Sequence, residues 1–313
     1  MKRYLARFAA VLLVVAAATG GWLYHRITTL TSEQLTKDVW MISGFGSNVG
    51  VLRTDAGTVI IDTMTFKLQG DRIATLAQKL TGKPVVLVIN THYHLDHTHG
   101  NPAFAGKARV VSTSRTLTHL LNLDAKYWEG DAAEALPTET FEQDHVIPIG
   151  GKTIRLLHPG RGHTDGDLVA LFVEDRVLHA GDLLFNRFYP NVDLEAGGSV
   201  REWPHTLDRA AEYDFDKVIP GHGEVADRES ISRFRAFLTD LWGQANDAAR
   251  RGWSLDQALE GVQLTANSGM EVLEFPFVLR LDRDFVVRRA WEEATGKVKV
   301  YDAQPPKGDE NPT

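Results

Sequence analysis

The stretch His92-Tyr93-His94-Leu95-Asp96-His97, close behind the apolar run Val85–Ile89, decides the reading of this chain. It puts three imidazoles and one carboxylate within six residues. These are ligands that borderline divalent ions such as Zn²⁺ prefer. Residues two apart in extended backbone point to the same side, so His92 and His94 can share one ion. Asp96 and His97 lie past the strand end, where a turn can aim them at another. A His-rich stretch can also be a solvated loop. The strand before it, with Thr91 and Gly100-Asn101 flanking it, favours a metal site.

Further ligand types follow, each beside glycine. His163 sits in Pro159-Gly-Arg-Gly-His163-Thr-Asp-Gly, Asp182 in His179-Ala-Gly-Asp182, and His222 in Ile219-Pro-Gly-His222-Gly. For Asp182 and His222 the pattern is apolar strand, small residue, ligand. Glycine lets backbone turn sharply and approach an ion closely, and strand-end loops are where scaffolds carry chemistry.

In this order, HxHxDH, the Gly-flanked His, the Gly-Asp and the Pro-Gly-His-Gly resemble the metallo-β-lactamase superfamily over residues 38–226. The resemblance implies an α/β fold, a four-layer αββα sandwich. It also implies two metal ions. His92, His94 and His163 would hold the first; Asp96, His97 and His222 would hold the second; Asp182 would bridge them. Two Zn²⁺ are expected from the ligand types, with iron or manganese as alternatives. Three neutral imidazoles leave one position of a tetrahedral Zn²⁺ open, as catalytic sites need. Metal binding brings the pKa of water to about 7, which makes hydroxide available at neutral pH. Asp96 could accept a proton from that water or pass one to the leaving group, which makes it the candidate catalytic residue.

The chain has no cysteine, so no disulfide can form. Many β-lactamases of the resembling family carry Cys where Asp182 stands here. A bridging Asp looks instead like glyoxalase II, the lactonases, the nucleases and other hydrolases. The expected function is therefore a dinuclear zinc hydrolase cleaving a small ester, thioester, lactone or amide. β-Lactam hydrolysis is the first alternative. A mononuclear iron persulfide dioxygenase is the second, and the presence of His97 and His222 counts against it. Nucleic-acid processing ranks below these: the net charge is −7 and the pI near 5.9, whereas nucleic-acid binders favour a basic patch. A retired, non-enzymatic scaffold should have lost ligands, and none is missing.

The length of 313 residues and 43% hydrophobic content allow a sizeable core. Lys2, Arg3 and Arg7 precede an apolar run over 8–18, and apolar character resumes over 20–24. This reads as a signal peptide or a membrane anchor rather than a buried core helix, so the protein is expected to be exported to the periplasm, secreted, or held on the membrane facing outward. Four regions are expected: the targeting segment 1–30, a catalytic domain 31–226, a helical C-terminal extension 227–302 packed on it, and a disordered tail 303–313 rich in Pro and charge.

Within the catalytic region, 27–37 reads as a polar linker. Short strands are expected at 39–42, 49–53, 58–61, 85–89, 109–111, 153–157, 168–173, 176–179 and 216–219. Helices are expected at 71–80, 201–212 and 228–251 from their apolar spacing, and helix or loop over 116–135. Asp62 ends a strand and reads as support for a ligand, since a ligating His usually gives its other N–H to a carboxylate; an ordinary turn former is the alternative. Phe45, between Gly44 and Gly46, and Phe185 and Tyr189, after Asp182, are candidate walls of a small-molecule substrate pocket. Tyr189 could also donate to an oxyanion. Asn186, Arg187 and Trp128 are further candidates. His99, two residues past the ligand run, reads as a solvated loop residue, with pocket lining as the alternative; His158 and His179 read as structural, and His25, His119, His145 and His205 as bystanders.

Overall fold

The structure, a computed structural model, describes residues 19–265, 269–275 and 279–298. After a helix α1, described over residues 19–28, come β1 (Thr31–Gln34), β2 (Val39–Ser43), β3 (Asn48–Arg53), β4 (Thr58–Ile61), α2 (Lys67–Thr81), β5 (Val85–Ile89), α3 (Leu95–Thr98), β6 (Arg109–Thr113), α4 (Ser114–Asn122) and β7 (Glu139–Phe141). These strands make a seven-stranded sheet in chain order, antiparallel from β1 to β4 and parallel from β4 to β7. A five-stranded sheet follows from β8 (Asp144–Ile149), β9 (Lys152–Leu157), β10 (Val169–Phe172), β11 (Val177–Phe185) and β12 (Lys217–His222), with β11 and β12 parallel. The helix α5 (Trp203–Ala210) lies between those last two strands in sequence. Then come α6 (Arg228–Arg250), α7 (Leu255–Gly261), the hairpin β13 (Leu273–Phe275) and β14 (Leu279–Leu281), and α8 (Arg283–Thr295).

Alternation along the strands builds the layers. Val39, Met41, Val59, Ile61, Leu87 and Ile89 share one buried cluster with Ile154, Leu156, Ala170 and Phe172 of the other sheet. Their neighbours Trp40, Ile42, Ile60 and Val88 face the other way and pack with Ile73 and Ala77 of α2. On the far side, Leu171, Leu178 and Val218 pack against Trp203, Phe234, Leu238, Val286 and Val287. The result is the expected αββα sandwich, with α5, α6 and α8 as the outer layer of the five-stranded sheet.

Several elements depart from the expectation. The linker read at 27–37 contains β1, which pairs with β2 from Thr31↔Ser43 to Gln34↔Trp40. All four of its side chains are exposed, so this edge strand shows no apolar alternation. The strands β7 and β8 and the β13–β14 hairpin are also unannounced by pattern. The strand expected at 176–179 runs on to Phe185, through a register shift between His179 and Gly181. The targeting reading of 1–30 falls largely outside the described residues, as does the tail reading of 303–313. Among the described residues no helix is long and apolar enough to cross a membrane.

Candidate metal centre

The polypeptide leaves β5 at Asn90 and turns into α3, so His92 and His94 come from the loop and Asp96 and His97 from one helical turn. Backbone capture holds that turn in place. The carbonyl of His97 accepts from Thr63 N (2.9 Å) and Asn90 Nδ2 (3.2 Å), and Asn101 Nδ2 donates to Asn90 Oδ1 (2.8 Å). On the opposite sheet, Gly181 has φ +51°, a left-handed conformation that favours glycine. The shift in register there swings Asp182 inward. Gly221 makes room for it: a Cβ at that position would lie 1.9 Å from Asp182 Oδ1.

Two groups of ligand atoms result, each within 4.8 Å: His92, His94, His163 and Asp182, then Asp96, His97 and His222. In the first, His94 Nδ1 lies 3.2 Å from His92 Nε2 and 2.8 Å from His163 Nε2. Asp182 Oδ2 lies 3.8 and 3.5 Å from the same two Nε2 atoms. In the second, Asp96 Oδ2 lies 3.4 Å from His222 Nε2 and 3.7 Å from His97 Nε2. Asp182 Oδ1 lies 3.4 and 3.1 Å from those nitrogens. Ligands about 2.0–2.2 Å from a tetrahedral Zn²⁺ sit about 3.3–3.6 Å apart, so both groups have the right scale.

The hydrogen bonds behind the rings determine which nitrogens face inward. His94 Nε2 meets Asp193 Oδ2 (2.8 Å), His97 Nδ1 meets Asp62 Oδ2 (2.7 Å) and His163 Nδ1 meets the carbonyl of Asn191 (2.9 Å). These acceptors take the ring N–H and leave the opposite nitrogen's lone pair free for a cation. Thr91 Oγ1 donates to Asp62 Oδ2 (2.8 Å), which leaves its lone pairs to accept from His92 Nδ1 at 3.0 Å. In this arrangement His97 Nε2 and Asp182 Oδ1 are two buried acceptors facing each other, and neither has a hydrogen-bond partner among the described residues. Buried polar atoms are rarely left so; a cation satisfies both. The residues fit the expected metal.

The electrostatics of the cluster agree. Burial and the neighbouring imidazoles hold His92 well below the usual imidazole range and His163 at about 4. Burial would also lower His97, but Asp182, Asp62 and Asp96 carry it well above that range. Burial works against ionising Asp182, yet His222, His97 and His92 hold it well below the usual carboxylate range. Nearby, burial pushes Asp167 up to about 8, where it accepts from Thr164 N (2.9 Å) and Thr164 Oγ1 (2.6 Å) and closes the loop that carries His163.

All seven candidate ligands come together. Asp62, in left-handed backbone at φ +66°, lies behind His97 and also accepts from Thr91 N (2.8 Å). Phe45 is half-buried at the tip of the β2–β3 hairpin, with its carbonyl accepting from Gln69 Nε2 (2.6 Å). Phe185 is fully buried; its ring stacks on His222 (centroids 5.0 Å) and meets His163 edge-on (5.9 Å). It also borders a cavity of about 110 Å³ shared with Asn186, Arg187, Ser230 and Arg233. Tyr189 packs on Phe237 in the outer helical layer. Trp128 is buried and donates to Asp124 (2.9 Å), and His99 meets the same carboxylate (2.7 Å), so His99 is tied down rather than a solvated loop residue. Sequence reading missed Asp193, Asn191, Thr91 and Asp167 as supports. Asp193 approaches His94 across 99 residues of chain, and no local pattern marks it.

A family model, the metallo-beta-lactamase superfamily, matches residues 42–222. The metallo-beta-lactamase type 2 of Bacillus cereus is 26% identical over 210 residues, covering 64% of this chain and 79% of that one. The 2,4-dinitroanisole O-demethylase subunit alpha of Nocardioides sp. is 26% identical over 272 residues (83% and 76%). A linear primary-alkylsulfatase of Pseudomonas sp. is 23% identical over 261 residues (68% and 49%). Among solved structures, the metallo-beta-lactamase from Pontibacter korlensis superposes with a TM-score of 0.58 at 25% identity, covering 67% of this chain and 99% of that one. The family match takes in more than half of the chain and both ligand groups: this protein belongs to the metallo-beta-lactamase superfamily and is a metal-dependent hydrolase.

Proposed function

We propose that the protein is a dinuclear zinc hydrolase that cleaves a small ester, thioester, lactone or amide. One observation carries this reading: the carboxylate of Asp182 is divided, with Oδ2 toward His92 and His163 and Oδ1 toward His97 and His222. A single-metal oxygenase has no use for the second group. His92, His94 and His163 would hold one ion and Asp96, His97 and His222 the other, with Asp182 between them. Zinc bound there would lower the pKa of water toward neutrality and polarise the scissile carbonyl. The protein's own part is orientation and proton handling. Asp62, Asp193 and the Asn191 carbonyl fix three ligand rings. Asp96, more open than Asp182 at 15% against 4% side-chain exposure, would take up a proton and return it to the leaving group.

The relatives are named for three different substrates: a β-lactam, 2,4-dinitroanisole and a linear primary alkyl sulfate. What this chain shares with them supports the metal chemistry and leaves the substrate open. A β-lactamase reading has the Bacillus relatives in its favour and the bridging Asp182, in place of Cys, against it.

The test is metal analysis of the purified protein with hydrolysis of a panel of chromogenic β-lactams, lactones, thioesters and esters. Two zinc ions per chain with turnover of a lactone, thioester or ester support the proposal. Turnover confined to β-lactams moves the protein to the second reading. A single iron with oxygen consumption overturns the dinuclear hydrolase.

A further inference from the structure

Six of the ten large apolar side chains exposed among the described residues lie on α1, on α2 with its N-cap, and on α3. Trp22, Leu23 and Tyr24 on α1, Phe66 and Leu68 at the start of α2, and Leu95 on α3 are each at least 40% exposed. These elements adjoin one another. Arg72 of α2 donates to the Tyr24 hydroxyl (3.2 Å), and His25, Arg26 and Thr29 of the α1 segment line a hollow with Gly44 and Phe45 of the β2–β3 hairpin. Gln69 ties α2 to the same hairpin through the Phe45 carbonyl. The hairpin tip reaches Asp96, the neighbour of Leu95: Ser47 Oγ donates to the Asp96 carbonyl (2.5 Å). A gathered apolar surface of this kind marks an interaction site.

Its chemistry selects the occupant. Trp and Tyr beside Arg are the side chains that settle at a membrane–water interface. Arg26 lies over the Trp22 ring at 5.7 Å, and Arg72 over Tyr24 at 6.0 Å. The two guanidiniums beside these exposed aromatics suit anionic headgroups locally, against the chain's overall charge of −7. The apolar sequence run over 8–18, with Lys2, Arg3 and Arg7 before it, adjoins in sequence the described part of α1. A segment of that composition partitions into lipid and brings the adjoining helix to the surface. We propose that this rim of α1, the β2–β3 hairpin tip and the first turn of α2 seats on an anionic lipid bilayer, with Trp22, Leu23, Phe66 and Leu68 at headgroup depth.

Because the chain has no cysteine, single labels can be placed at will. Full-length protein carrying Leu68→Cys or Leu23→Cys, labelled with an environment-sensitive fluorophore, is mixed with vesicles of phosphatidylcholine and phosphatidylglycerol. Val146→Cys, exposed on β8, is the reference. The expected result is a blue shift at 68 and 23, with quenching by nitroxide-bearing lipid several-fold stronger than at 146. Labels at 68 and 23 that stay aqueous on vesicle-bound protein would overturn the proposal, leaving only the N-terminal run as the anchor. A blue shift that grows with protein concentration and ignores vesicles would also overturn it, in favour of a second copy of the chain.

Discussion

Three of the candidate ligand rings are held from behind by residues outside the motif, and those supports can be tested one at a time. Asp62 takes the N–H of His97 and Asp193 that of His94. Carboxylates in this role typically contribute roughly 10–100-fold to metal affinity. Asp62→Asn is expected to weaken one zinc equivalent by that factor and Asp193→Asn the other, read by titration against a chromogenic chelator. If both variants weaken the same equivalent, the division into two ligand groups is wrong. Gly221→Ala is a harsher change. Its Cβ would fall 1.9 Å from Asp182 Oδ1, so the Asp182 carboxylate must move. Loss of at least one zinc equivalent and of nearly all turnover is expected, with the circular dichroism spectrum retained.

At the scale of elements, the His163 loop depends on Asp167. Its carboxyl, pushed by burial from 3.8 to about 8, keeps a proton in the folded chain that the unfolded chain releases. Between pH ~4 and ~8 the unfolded state binds fewer protons, so stability falls as pH rises across that window. In chelator-treated protein, Asp167→Asn is expected to flatten this slope, as measured by denaturant unfolding at successive pH values. An unchanged slope would place the origin elsewhere. Element by element, strands such as Val59–Ile61 in β4 and Leu87–Ile89 in β5 are plain in the sequence, because their successive residues enter one core or the other. The edge strand β1 is not: its side chains are all exposed and only its backbone pairs.

For the molecule as a whole, the centre lies between elements of both sheets, so metal should couple to global stability. His92, His94, Asp96 and His97 belong to the first sheet's loops, while His163, Asp182 and His222 belong to the second. A ligand that binds only the folded state stabilises it by about 2.7 kcal/mol at a hundredfold excess over its Kd. Chelation is therefore expected to lower the melting temperature by several degrees, with recovery on adding zinc. An unchanged melting temperature would mean that the two sheets hold the ligands without help from an ion.

The sequence by itself determined the ligand types, their order and the buried strands, because metal chemistry restricts residue type and a buried strand face restricts polarity every second position. The two-sheet layering followed from the motif's resemblance and is carried in the structure by the opposite faces of those strands. Only the tertiary structure decided how Asp182 divides its oxygens, which ring nitrogens face inward, and that Asp193 and Asn191 stand behind His94 and His163. Those features depend on contacts between residues 19 to 99 positions apart. No local propensity records such distances, since the meeting of loops is fixed by how the two sheets pack.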